Sequence, residues 1–168
     1  MYNLIVAYDS DFGIGKDNKL PWYFPEDLKY FSELTKGNGN NAIIMGKNTW
    51  NSLPKKPLPK RDNLILSTTL DISENTAKNN LVKTFKNIDN IEEHCLNTNY
   101  DDIWIIGGSE IYNLFIKKDK IKYIYATIIN KKYNCDTFFP NLENWYITDS
   151  ISKVSNNINI SYVKYKKN

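Results

Sequence analysis

The residues best suited to chemistry are one aspartate, two glycine-marked corners and a pair of hydroxyls. The aspartate lies in Leu20-Pro21-Trp22-Tyr23-Phe24-Pro25-Glu26-Asp27-Leu28-Lys29-Tyr30-Phe31, which reads as a loop running into a helix. Pro25 suits the first helical turn, where its missing N–H costs nothing. Glu26 and Asp27 follow in a turn that favours negative charge. Leu28, Phe31 and Leu34 recur at helical spacing. Asp27 is one turn before Phe31, on the same side. A lone carboxylate can therefore share a face with apolar side chains, beside Trp22. Such a setting raises a carboxylate's pKa and suits proton chemistry near neutral pH. The same residues also fit an acid that merely complements the helix dipole and sits in water.

The first corner is Met45-Gly46-Lys47-Asn48-Thr49. Its glycine permits close backbone approach, Lys47 adds a point charge and Thr49 a hydroxyl. Amides at a helix start favour a phosphate. The second is Ile106-Gly107-Gly108-Ser109-Glu110, where paired glycines permit unusual backbone geometry. At Leu66-Ser67-Thr68, hydroxyls end a strand and could take a further phosphate or a ribose. Each junction alone also reads as a plain turn, and none is a Gly-x-Gly-x-x-Gly or Walker motif. Together they suggest a nucleotide carrying several phosphates.

These residues need elements to hold them. Leu4 to Tyr8 is a short, nearly continuous apolar run, the signature of a strand buried on both faces. Asp9 to Lys19 reads as a long polar loop, a length that points to function in a compact domain. The helix runs from about Pro25 to Thr35 and breaks at Gly37-Asn38-Gly39-Asn40-Asn41. Ala42 to Met45 is a second strand, and Gly46 to Leu53 a turn entering a short helix. Pro54, Pro57 and Pro59 exclude regular structure. Asn63 to Ser67 is a third strand, and Thr69 to Asn80 is turn-rich. Leu81 to Phe85 reads as a strand and Asn87 to Leu96 as a helix. Ile103 to Ile106 is the most apolar strand, followed by a helix with Ile111, Leu114 and Phe115 on one face. Ile121 to Ile129, Trp145 to Ile151 and Ile158 to Tyr165 are strands with little helix between them. This order predicts an α/β sheet, mainly parallel, finished by antiparallel strands at an edge. Ligands then bind beyond the carboxyl ends of the strands.

The 168 residues suffice for a single domain over 1–168 with a sizeable core. Twelve Tyr and four Trp argue for a packed globule rather than disorder. A net charge of +3 on scattered Lys and Arg favours small anions and gives no nucleic-acid stripe. Cys95 and Cys135 form no CxxC motif, which predicts a reduced, cytosolic protein. The first residues carry neither a basic leader nor a long apolar run, so no signal peptide or membrane span is expected. His94 is the only histidine and is expected at the surface; no metal site is expected.

The chain resembles dihydrofolate reductase of the chromosomal, NADPH-dependent type from end to end. The resemblance rests on Leu4-Ile5-Val6-Ala7, Gly13-Ile14-Gly15, Leu20-Pro21-Trp22, Pro25 to Phe31, Ile44 to Trp50, Pro57-Leu58-Pro59 with Arg61, Ile106-Gly107-Gly108 with Ile111-Tyr112, and Cys135-Asp136-Thr137-Phe138-Phe139-Pro140. It implies a three-layer fold, with a central sheet of about eight strands flanked by about four helices. It implies a monomer that transfers hydride from NADPH to 7,8-dihydrofolate.

The resemblance also implies roles. Asp27 anchors the pterin and supports protonation of N5 through a water that Trp22 helps hold, with Leu20 beside them and Thr127 orienting Asp27. Ile5, Ala7, Leu28, Phe31, Leu53 and Ile106 wall the substrate, and Arg61 takes the α-carboxylate of its glutamate tail. On the cofactor side, Gly46, Lys47, Asn48 and Thr49 bind phosphates, with Lys47 near the 2′-phosphate. Leu66, Ser67 and Thr68 lie beside them. Gly107 and Gly108 carry a cis peptide at the pyrophosphate, with Ser109, Glu110 and Ile111 opening the helix there. Tyr112 and Ala7 lie near the nicotinamide. The loop of Ile14, Gly15 and Asn18 closes over it. Lys47 stands where many relatives carry arginine, Glu110 where many bacterial ones carry a base, and Lys86 is a candidate second cation. A related pterin or flavin-precursor reductase and a silent nucleotide-binding module are the other readings.

Overall fold

The computed structural model describes residues 1–70 and 81–168. From residue 71, the turn-rich segment expected up to Asn80 lies outside the described residues. Strands β1 (Tyr2–Tyr8), β2 (Gly13–Gly15), β3 (Asn41–Gly46), β4 (Arg61–Leu66), β5 (Val82–Phe85), β6 (Ile103–Gly107), β7 (Ile121–Ile129), β8 (Thr137–Phe138), β9 (Trp145–Ser155) and β10 (Ile158–Lys167) are present. Four described helices accompany them: α1 (Pro25–Lys36), α2 (Lys47–Ser52), α3 (Ile88–Asn97) and α4 (Ser109–Lys117). Eight strands form one sheet in the order β5-β4-β3-β6-β1-β7-β10-β9. Pairing is parallel from β5 to β7 and antiparallel at β10 and β9, as expected.

Side-chain alternation makes the layers. Leu4, Val6 and Tyr8 of β1 join Ile91 and Cys95 of α3 and Ile111, Tyr112 and Phe115 of α4 on one face. Ile5 faces the other way with Ile43, Met45, Ile65 and Trp104, under Phe31 and Leu34 of α1 and Trp50 of α2. The central strands are apolar on both faces because both are covered, and Leu4, Ile43, Ile44, Ile65 and Ile105 are fully buried. A third cluster joins Trp22 and Phe24, ahead of α1, to Ile129, Ile160 and Tyr162.

Local chemistry sets the ends. Pro25 opens α1 with Glu26 and Asp27 in the first turn, Lys36 closes it, and Gly37 follows at φ +52°. Asn87 caps α3 by accepting the amide of Asn90 at 2.9 Å. Asn156 and Asn157, at φ +51° and +62°, turn β9 into β10.

Three sequence expectations are corrected. The Asp9–Lys19 segment is not all loop, because Gly13–Gly15 pairs with Thr137–Phe138. Strands of three and two residues are too short to show a period, and their pairing partner is remote in sequence. β9 continues four residues past Ile151, where exposure on both sides hides any alternation. His94 is half-buried rather than free at the surface, its Nε2 lying 3.0 Å from the Tyr100 hydroxyl.

Ile105 lies in β6, in the middle of the sheet and fully buried, whereas Ile151 on the edge strand is 65% exposed. Ile105→Ala is expected to cost about 2–5 kcal/mol in urea denaturation. Ile151→Ala is expected to stay within about 0.5 kcal/mol.

Candidate active site

α1 and β7 define the acid. Asp27 stands in the first turn of α1, where Thr127 of β7 donates its hydroxyl to Asp27 Oδ1 at 2.7 Å. Burial pushes the Asp27 carboxyl above its ordinary range; the Thr127 bond opposes this and the charge of Glu26 adds to it. The picture of an acid standing in water is therefore set aside. Tyr30 and Tyr162 pack at 4.5 Å between ring centres, and burial, with a contribution from Asp27, raises both phenols. Trp22 is buried edge-on to Tyr133 at 5.2 Å, and its Nε1 has no acceptor among the described residues.

The expected substrate walls occupy the same sheet face. Ile5 is buried with Phe31, Leu53 and Ile106 packed around its cluster, while Ala7 packs against the Trp22 cluster. Ala7 is the register partner of Thr127. Leu20 and Leu28 are not enclosed like the others, being 55% and 48% exposed. Arg61 is 3% exposed, so a surface arginine is excluded. Its Nε donates to Pro59 O at 2.9 Å and its Nη1 to Thr35 Oγ1 at 2.8 Å. Desolvation lowers the pKa of this guanidinium.

The two glycine corners meet. A Cβ on Gly46 would lie 3.1 Å from Ile111 and 4.0 Å from Gly107 O, and one on Gly108 would lie 3.6 Å from Thr49 Oγ1. The backbones approach this closely because neither residue has a side chain. The Gly107–Gly108 peptide is cis, as the resemblance implied. Tyr112, from α4, places its hydroxyl 2.8 Å from Ile5 O and 2.9 Å from Ile106 O. That contact links the corner to β1, two residues from Ala7.

Ser67 Oγ accepts the amides of Thr69 and Leu70, and Lys47 Nζ donates to Thr69 Oγ1 at 3.1 Å. Lys47 thereby stands beside Ser67 and Thr68, with no carboxylate partner among the described residues. Glu110 is exposed in the first turn of α4. Lys86 is exposed and makes no hydrogen bond or ion pair among the described residues.

The loop carrying Ile14, Gly15 and Asn18 is docked. Asp136 N–H donates to Gly15 O, Asp17 N–H donates to Asp136 Oδ2, both at 3.0 Å, and Phe139 N–H donates to Phe12 O at 2.8 Å. Sequence reasoning gave no role to Thr69, Asp9 or Asp136. Asp136 alone had a signal, its place in the Cys135–Pro140 motif. No three or more His, Cys, Asp or Glu residues among those described are grouped to hold a metal ion. No described helix is long and apolar enough to cross a membrane.

Residues 1–167 match the family described as dihydrofolate reductase. The chain is 39% identical over 145 residues to the dihydrofolate reductase of Drosophila melanogaster, covering 83% of this chain and 79% of that protein. It is 33% identical over 180 residues to the dihydrofolate reductase of Heliothis virescens, covering 98% and 96%. It is also 33% identical over 177 residues to the bifunctional dihydrofolate reductase-thymidylate synthase of Glycine max, where 98% of this chain spans 33% of that protein. Since the family match runs over residues 1–167, through every strand of the sheet, and two single-function relatives are matched over most of their length, the chain belongs to the dihydrofolate reductase family.

Proposed function

We propose that the Asp27 cleft and the glycine corners carry out the family's reaction, reduction of 7,8-dihydrofolate to 5,6,7,8-tetrahydrofolate, with NADPH as cofactor. The observation that carries this reading is the desolvated Asp27 carboxyl held by Thr127. The product gains hydrogen at positions 5 and 6. Carbon 6 takes a hydride and nitrogen 5 a proton, and NADPH, when bound, supplies the hydride.

Asp27 serves the proton side. A carboxyl with a raised pKa holds its proton closer to neutrality and can anchor the amino group and N3 of a pterin. The unsatisfied Trp22 Nε1 supports a role in holding a water there. Ile5, Ala7, Phe31, Leu53 and Ile106 supply apolar walls, and the exposed Leu28 and Leu20 supply covers at the rim. Arg61 is preset by Pro59 and Thr35, and its Nη2, with no hydrogen-bond partner among the described residues, is assigned to the carboxylate of a glutamate tail.

The cofactor side fits a dinucleotide. Gly46, Gly107 and Gly108 leave room for backbone to approach phosphates, and the amides opening α2 and α4 favour anions. Asn48, Thr49, Ser109, Glu110 and Ile111 line these starts, and Leu66, Ser67 and Thr68 border Lys47. Ile14, Gly15, Asn18 and Tyr112 are assigned to the nicotinamide end. The site is assembled within one sheet of one chain, which supports a single domain acting as a monomer. Both cysteines are free thiols, which supports a reducing, cytosolic compartment.

The direct test is loss of NADPH absorbance on adding dihydrofolate, with NADH in parallel. Turnover with NADPH supports the reading; tight NADPH binding without turnover moves it to another pterin substrate or a silent module.

Asp27→Asn is expected to keep the fold and NADPH binding but lose about 100-fold or more in kcat at pH 7, with partial recovery on acidification. A rate equal to wild type across pH would sink the role. The same substitution has a stability signature. The folded pKa lies above the ordinary 3.8, so the folded chain holds the proton where the unfolded chain has lost it. The group's favourable contribution is full below the unfolded pKa and declines as pH rises through the folded one. Asp27→Asn is expected to melt at or above the wild-type temperature at pH 7, the difference closing toward acid pH.

Lys47 carries the cofactor preference. Lys47→Ala is expected to raise KM for NADPH by about tenfold while leaving KM for NADH unchanged. Lys47→Arg is expected to retain NADPH use. Equal changes for both cofactors would remove Lys47 from the 2′-phosphate.

A further inference from the structure

The docked loop is rooted on a carboxylate that the reaction does not use. Asp9, just after β1, is 1% exposed. Its Oδ1 accepts the amides of Asp11 at 2.9 Å and Gly13 at 2.7 Å. Its Oδ2 accepts the amide of Tyr133 at 3.0 Å and faces the Cys135 thiol at 3.6 Å. One side chain thus joins two segments 124 residues apart in sequence. Burial pushes its pKa up, but the Tyr133, Gly13 and Asp11 amides and the Cys135 thiol more than offset this and hold the carboxyl below its ordinary range.

The join is tight. A Cβ on Gly13 would lie 2.5 Å from both Cys135 Cβ and Sγ and 2.9 Å from Asp9 Oδ1. Backbone bonds reinforce it, with Asp9 N–H on Gly13 O at 2.9 Å and Ser10 N–H on Lys131 O at 3.2 Å. Farther out, the bond from Asp17 N–H to Asp136 is exposed and competes with water. The loop therefore has a dry, fully bonded root and a wet tip.

We propose that Asp9 is a positioning residue for hydride transfer: its two carboxylate oxygens clamp the 9–13 turn to the 131–135 segment and so set where Ile14 and Gly15 meet the nicotinamide. This rests on the reading of Ile14 and Gly15 as cofactor contacts. Asp9 itself touches neither substrate nor cofactor.

The test is Asp9→Asn. The amide has the same shape, and its Oδ1 can still serve Asp11 and Gly13. Its NH₂ would then face the Tyr133 N–H, donor against donor. Single-turnover hydride transfer with NADPH and its deuterated form is measured beside kcat, KM and thermal melting. A clamp that positions the loop predicts a fall of about tenfold or more in the hydride-transfer rate, with KM for dihydrofolate within about twofold and a larger deuterium effect on kcat. A lower melting temperature with an unchanged hydride-transfer rate would overturn the proposal, leaving Asp9 a purely structural acid. Cys135→Ala removes only the weak thiol donor and is expected to keep the wild-type rate. A fall equal to that of Asp9→Asn would shift the effect to the thiol and also overturn it.

Should Asp9→Asn fail to fold, amide hydrogen exchange on the wild-type chain decides. The Gly13 and Tyr133 amides are expected to be protected while that of Asp17 exchanges faster; equal exchange at all three would refute a fixed root. Wild-type turnover is measured in the same series. A failure of the folate reading appears there and leaves the exchange result intact.

Discussion

The candidate site is organised around one constraint: Asp27 is held half-buried at the start of α1 by a bond from the sheet. Desolvation disfavours the charged carboxylate and raises its pKa above the ordinary range. A side chain in the first turn of a helix is ordinarily free to reach solvent. Here Thr127 holds it by a 2.7 Å bond from β7, a strand whose register against β1 runs unbroken from Asn3 to Tyr8. Trp22, Tyr30, Tyr133 and Tyr162 pack as an aromatic layer at that end of the molecule. The acid's position is thus fixed by the sheet rather than by its own helix.

The same sheet sets the two glycine corners side by side at one end. β1, β3, β4 and β6 are mutually parallel, so Tyr8, Gly46, Leu66 and Gly107 all end on one side. β6 slots between β3 and β1, which juxtaposes Gly107 with Met45 and Gly46. Tyr112 then bridges the carbonyls of Ile5 and Ile106, making the contact between adjacent strands part of the site. Burial alone drives the Tyr112 phenol far above its ordinary range, so it stays a neutral hydrogen-bond donor.

Much of this was legible because parallel strands buried on both faces must be continuous apolar runs. Ile103 to Ile106 and Ala42 to Met45 could hardly be anything else, and each ends at a glycine where a ligand can approach. Pro25 fixed the start of α1, and with it the face of Asp27. What escaped was nonlocal. β2 and β8 have no periodicity of their own and exist because Asp136 and Phe139 donate to Gly15 and Phe12. The burial of Arg61 escaped too, since nothing in the chain announces that Thr35 and Pro59 will receive it. Thr69 became part of the Lys47 corner only through a side-chain contact across 22 residues.

Asp9 and Asp27 show how donors decide the charge state of an aspartate drawn away from water. Asp9 is buried and Asp27 half-buried, and for both desolvation is the largest influence. Their outcomes are opposite because of the donors each receives. Asp27 receives one side-chain donor, so burial wins and the proton is held more tightly. Asp9 receives three amides and a thiol, so the charged form wins and the group stays ionised. A carboxyl with few donors has its two protonation states brought closer in energy at higher pH. Only one whose charge is saturated with donors can pin two loops in a fixed relation. The fold builds both from the same residue type, one at the start of a helix with its donors withheld, the other in a turn of convergent amides just past the end of β1.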